Sequence, residues 1–177
     1  MSAPNFVHLR LHSEYSITDG LTRIDSAVAA ARTDGQAALA LTDLANLFGM
    51  IKFYTAARAK GVKPIIGCDV WIGDDETPQH KPDGNAGSVR VLLLCRNREG
   101  YLRLCQLVTQ AYLASRHHGR AEISRAALAS GDNSGLIALS GAAFGDVGQL
   151  LLAGKAALAE LRARSWAALF PDAFYIE

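Results

Sequence analysis

Short apolar runs that alternate with helical periodicity leave this chain few ways to fold. Ala38-Leu39-Ala40-Leu41 is apolar without a break, as a strand covered on both faces must be. Lys63 to Ile72, Val89 to Cys95 and Leu136 to Leu139 are further runs, and Phe174 to Glu177 begins another. Between them, Ile24 to Asp34, Leu47 to Lys60, Glu99 to Ser115, Ser124 to Ser130, Gly145 to Ala153 and Lys155 to Phe170 read as helices. Phe48, Ile51, Tyr54 (or Thr55) and Arg58 recur at steps of three and four, as do Leu104, Leu107, Val108, Ala111 and Tyr112. Thr22 or Asp25 would start the first helix and Ser124 the fourth; Gly35 and Gly61 are stop signals. Residues 73–88 are rich in Gly, Pro, Asp and Asn, without periodicity, and read as a long surface loop. Strand and helix in turn predict an α/β protein with a mostly parallel sheet, open or closed as a barrel.

The chemistry concentrates in Phe6 to Gly20. Val7, Leu9 and Leu11 alternate with His8, Arg10 and His12, which predicts a strand with an ionisable row on one face. Such a row is costly to bury without partners, so it belongs at the mouth of a pocket. Ser13, Glu14, Ser16, Thr18, Asp19 and Gly20 follow as a polar loop. In parallel α/β folds, sites lie at the carboxyl ends of strands. The residues there are His12 with Asp19, then Asp43, Asp69 and Ser140-Gly141. Carboxylates with a histidine suit a metal-assisted hydrolase. Aspartates after strands also cap the helices that follow, and both readings stand at this point.

Composition narrows the field. The length of 177 residues suits one domain, and a net charge of +1 is no footprint for indiscriminate nucleic-acid binding. Arg96, Arg98 and Arg103 are either a local basic patch or a solvated face. Cys68, Cys95 and Cys105 are odd in number and lack CxxC spacing, which predicts buried thiols in a reducing compartment rather than zinc or disulfides. His117-His118 reads as a surface pair. Neither a signal peptide nor a membrane-length apolar run is present, so a cytoplasmic protein that does not meet a membrane is expected.

FVHLRLHSEYSITDG, ALTDLANLFGMIKFY, KPIIGCDVWI, LLLCRNREGYLRLCQLVTQAY and LIALSGAAFGDVG occur in this order. Together they resemble the PHP (polymerase and histidinol phosphatase) domain that opens bacterial DNA polymerase III alpha subunits. The resemblance implies a distorted seven-stranded (β/α) barrel, here incomplete. It implies that residues 1–177 are the N-terminal part of that domain, without its final strands and without the polymerase domains. Intact members bind zinc, manganese or magnesium and resemble phosphoesterases.

The blocks of this chain depart from the family's ligand pattern. The opening His-x-His reads Arg10-Leu11-His12, and Thr-Asp-His-Gly reads Thr42-Asp43-Leu44-Ala45. The acidic ligands fall on Asp19 and Asp69, a histidine on Arg90, and a cysteine or histidine on Ala142. Arginine has only donors and cannot coordinate a cation. The resemblance therefore implies a degenerate pocket of Arg10, His12, Asp19, Asp43, Asp69 and Arg90, with no metal cofactor and no catalytic residue. Arg10 and Arg90 are expected to pair with the aspartates there, and His12 to complete the network. By the same resemblance the function is structural: an anchor for the proofreading exonuclease subunit, joined to the rest of the alpha subunit and meeting DNA only through the full DNA-directed DNA polymerase. The alternative is a metal-dependent phosphoesterase or 3'-5' exonuclease built on the surviving His and Asp residues.

Overall fold

The computed structural model describes residues 6–73, 88–114 and 120–177. Most of the expected loop at 73–88 and the His117-His118 pair lie outside these residues. The architecture is mixed α/β, and the chain divides into two compact units, Met1–Asp69 and Val70–Glu177. Among the described residues, no helix is long and apolar enough to cross a membrane.

In the first unit, β1 (Ala38–Leu41) is buried at every position, as its unbroken apolar run requires. It pairs in parallel with the start of β2 (Lys63–Gly73), Ala38 opposite Lys63 and Leu41 opposite Ile66. Helices α1 (Ile24–Thr33) and α2 (Met50–Ala59) cover this pair. Ile24, Val28, Ala31, Leu39, Leu41, Phe53, Ala57 and Val62 form the core cluster. Gly35 and Gly61 leave the helices at φ +72° and +70°, a left-handed exit that favours glycine. Neither Thr22 nor Asp25 caps α1; Arg23 holds that position with no side-chain bond.

One expectation for this unit needs correction. Phe6 to His12 is not a regular strand. It lies along β1 through Ala40 N–H to His8 O and Thr42 N–H to Leu11 O, both 2.9 Å. The Thr42 hydroxyl accepts the Leu11 N–H at 2.9 Å, a bond a regular ladder would give to a backbone carbonyl. The side chains of Phe48, Ile51 and Tyr54 point away from the core, 62, 69 and 48% exposed. The buried face of α2 is Phe53 and Ala57, one turn apart, with no exposure at all. An alanine next to a phenylalanine lets the helix approach its neighbours closely, which three bulky residues in a row would not.

In the second unit, the end of β2 pairs in parallel with β4 (Glu122–Ser124), a strand the sequence pattern did not predict. β3 (Val89–Cys95) pairs antiparallel with β5 (Leu136–Leu139), and β5 pairs in parallel with β6 (Phe174–Tyr175). The antiparallel pair departs from the parallel expectation. Its cause is local: Gly135 meets Gly100 at the start of α3 (Arg98–Ala114), and Arg96 N–H donates to Gly135 O at 2.9 Å. The chain thus enters β5 beside the exit of β3 and must run back along it. Ser124 caps α4 (Arg125–Ala129) through a bond from Ala127 N–H at 3.0 Å, as predicted. α5 (Asp146–Leu152) and α6 (Ala156–Leu169) are separated at Gly154, φ +69°.

Arg103 is no member of a surface patch, because its guanidinium donates to Ala127 O at 2.6 Å and to Asn133 at 3.3 Å. All three cysteines are free thiols, but only Cys68 is fully buried.

A Cβ at Gly100 would lie 1.8 Å from Gly135 O. Ala is the better helix former by about 1 kcal/mol, but the clash forces α3 off the turn at a cost of about 1–3 kcal/mol. Gly100→Ala should therefore lower the urea unfolding midpoint. A midpoint at or above that of the parent chain would show that the close approach does not hold the fold.

Candidate functional site

Asp69 lies in the interior of β2, and its side chain has no exposed surface. A carboxylate this deep requires cationic or hydrogen-bonding partners. Arg10 supplies the first, with Nη1 2.7 Å from Asp69 Oδ2. His12 supplies the second, with Nε2 3.2 Å from the same oxygen. The other ring nitrogen, Nδ1, is 3.0 Å from Asp19 Oδ2. The imidazole thus bridges the two carboxylates through its two nitrogens, and Arg10 shares Asp69 Oδ2 with it.

The loop after His12 is closed by short hydroxyl side chains. Ser13 donates to Asp43 twice, N–H to Oδ1 at 2.6 Å and Oγ–H to Oδ2 at 2.9 Å. Ser16 Oγ donates to Asp19 Oδ1 at 2.7 Å and accepts the Leu44 N–H at 2.9 Å. Asn46 Nδ2 donates to Tyr15 O at 3.0 Å. Asp43 is thus tied to Ser13 and is no member of the Arg10–Asp69–His12–Asp19 chain of contacts. Burial, the largest influence, pushes its carboxyl above the usual range, against the pull of the two Ser13 bonds. Cys68 sits beneath, its Sγ 3.3 Å from Asp43 O, and burial pushes that thiol up as well.

Backbone geometry is unusual at the same loops. Ala45 has φ +56° and donates its N–H to Asp69 O at 2.7 Å. Ile17, at φ +65° and ψ −56°, ends the single turn of 3-10 helix Glu14–Ser16. Left-handed backbone costs a residue with a Cβ about 1–2 kcal/mol, so both conformations are held by the bonds around them. Glycine at position 45 in the resembling blocks is explained by that φ.

The remaining sequence-predicted positions lie in the second unit. The Arg90 guanidinium lies over the Trp71 ring at 5.5 Å and the Phe144 ring at 5.3 Å. Ala142 opens a 3-10 turn at φ +47°. His8, expected in one row with Arg10 and His12, is exposed and lies edge-on to Phe6, ring centroids 4.7 Å apart. The irregular course of residues 6–12 breaks the row. Ser13, Ser16 and Thr42 organise the site as much as its charged residues do. Their signal in the sequence was only that short hydroxyl residues precede Asp19 and Asp43.

The resemblance links a metal in such a pocket to intact members alone, and the donor set in the first unit does not fit one. Both nitrogens of His12 are engaged by carboxylates, and a guanidinium holds Asp69 Oδ2. Leu44, at the family's histidine position, carries no donor. Among the described residues, no three His, Cys, Asp or Glu side chains are grouped to hold an ion.

The profile of the PHP domain family matches residues 8–177. The chain is 48% identical over its whole length to the DNA polymerase III subunit alpha of Neisseria meningitidis serogroup A, of which it spans 15%. It is 40% identical to the same subunit of Escherichia coli K12, again spanning 15% of it. Among solved structures, an amidohydrolase from Chromobacterium violaceum aligns with 59% of this chain and 32% of its own, at 20% identity and a TM-score of 0.44.

Arg10→Ala should leave the Asp69 charge buried with less compensation. Breaking such a pair costs about 3–5 kcal/mol, and the 27% exposure of the Arg10 side chain places the expected loss near the low end, about 3 kcal/mol. Asp69→Asn added to Arg10→Ala should recover much of it, since no charge is then left to bury. Equal losses for the single and double variants in chemical denaturation would refute the pairing.

Asp43 gives a pH test. Its folded-state pKa lies above the ordinary carboxylate value. In the interval between the two values, the unfolded chain has released a proton that the folded chain keeps, so stability falls as pH rises through it. Asp43→Asn retains an acceptor for Ser13 N–H and should remove that slope. An unchanged slope in the variant would show that Asp43 is not its source.

Proposed function

The chain belongs to the PHP domain family, and on that premise we propose that it is the N-terminal module of a replicative DNA polymerase III alpha subunit. Its role there is structural: it anchors the proofreading exonuclease subunit and joins the remainder of the alpha chain, through which DNA is met. The observation that carries this reading is the Arg10–Asp69 contact at 2.7 Å. A fixed guanidinium on the buried carboxylate supplies the positive charge that a metal would otherwise bring, but it offers no open coordination position and activates no water.

The competing reading, a metal-dependent phosphoesterase, needs donors that converge with free lone pairs. His12 has none left and Asp43 is committed to Ser13. Asp19 is the most accessible of the carboxylates, with a third of its side chain exposed, and it too is held by Ser16 and His12.

Titration calorimetry of the chain with zinc and with manganese separates the two. No saturable binding is expected with either ion at neutral pH. Tight binding of one ion per chain, accompanied by hydrolysis of a phosphoester, would replace the anchoring role with the catalytic one.

A further inference from the structure

Ile51 and Tyr54 on helix α2 and Phe48 in the turn before it are 69, 48 and 62% exposed, while Phe53 and Ala57 hold the other side of the helix in the core. Large apolar side chains grouped on one exposed face mark an interaction site more often than isolated ones do. The charge along α2 differs from end to end: Lys52 meets Glu14 and Asp25 near its start, and no acidic residue follows until Asp69. Residues 44–68 contain no Asp or Glu, but they contain Lys52, Arg58, Lys60 and Lys63. Lys52 is drawn to Glu14 at 3.1 Å, whereas Arg58, Lys60 and Lys63 are exposed near the far end of the helix. Arg58 continues the row itself, four residues beyond Tyr54 and seven beyond Ile51.

We propose that this face docks an acidic amphipathic segment of a partner protein, whose apolar residues cover Phe48, Ile51 and Tyr54 and whose carboxylates meet Arg58, Lys60 and Lys63. The proposal rests on the reading of the chain as an anchoring module and gives that anchor a place and a chemistry. Apolar contact supplies the affinity, and the basic end sets direction and excludes basic segments. A membrane surface also attracts basic amphipathic helices. It fits less well here, because α2 is fixed by Phe53 and Ala57 and has only three large residues to insert.

The test uses the chain with three probes: a synthetic helical peptide with leucine at i, i+3, i+4 and i+7 and glutamate elsewhere, the same peptide with lysine for glutamate, and phosphatidylserine vesicles. The glutamate peptide should bind, at least tenfold more tightly than the lysine peptide, and more weakly as salt is raised. Ile51→Ser and Arg58→Glu should each weaken it at least tenfold without altering the melting curve, since both positions are exposed. Leu113→Ser, an exposed apolar position on α3, should not. Equal binding of both peptides, preference for vesicles, or full binding by Ile51→Ser would overturn the proposal. Metal uptake by the parent chain would instead overturn the anchoring role and leave the docking result standing.

Discussion

A carboxylate with no exposed surface, Asp69, sets the terms for everything around it in the first unit. Burying a charge in a protein interior is tolerated only where partners are held in place. Arg10 and His12 are those partners, and both come from a segment with no regular secondary structure. That segment keeps its course because His8 O and Leu11 O accept bonds from β1 and because Thr42 Oγ1 takes the Leu11 N–H. The ion pair and the docking of residues 6–12 therefore depend on each other.

The loop beyond His12 extends the same logic. Asp19 holds the second nitrogen of His12 at 3.0 Å, and Ser16 fixes Asp19 while it accepts the N–H of Leu44. Ala45, next to Leu44, holds a strained backbone and donates to the carbonyl of Asp69 itself. The loop thus closes through polar contacts on the strand that carries the buried charge. Strand ends, polar loops and left-handed backbone meet here, and Asp69 Oδ2, Asp19, Asp43 and both nitrogens of His12 are engaged by protein groups.

The secondary structure was legible wherever one residue type dictated one conformation. The unbroken ALAL run marked β1, Ser124 marked the start of α4, and Gly35, Gly61 and Gly154 marked helix ends. Side-chain direction was legible only in part. Ile51 and Tyr54 have helical spacing and lie on α2, yet they face outward, because periodicity gives two candidate faces on a helix and packing chooses between them. The antiparallel course of β5 was hidden for a related reason: a contact between Gly100 and Gly135, distant in sequence, decides it.

The sequence by itself determined the class of fold, the family, and which positions lack a metal-donor side chain, since Arg10, Leu44 and Ala142 cannot coordinate a cation in any conformation. The tertiary structure alone decided how the remaining acidic residues divide. Asp43 goes to Ser13 and Asp69 to Arg10 and His12, while Asp19 takes the other nitrogen of His12. The reason is that a carboxylate's partner depends on distance and burial. Residues 59 apart, such as Arg10 and Asp69, acquire a 2.7 Å contact only when β2 and the N-terminal segment are folded together.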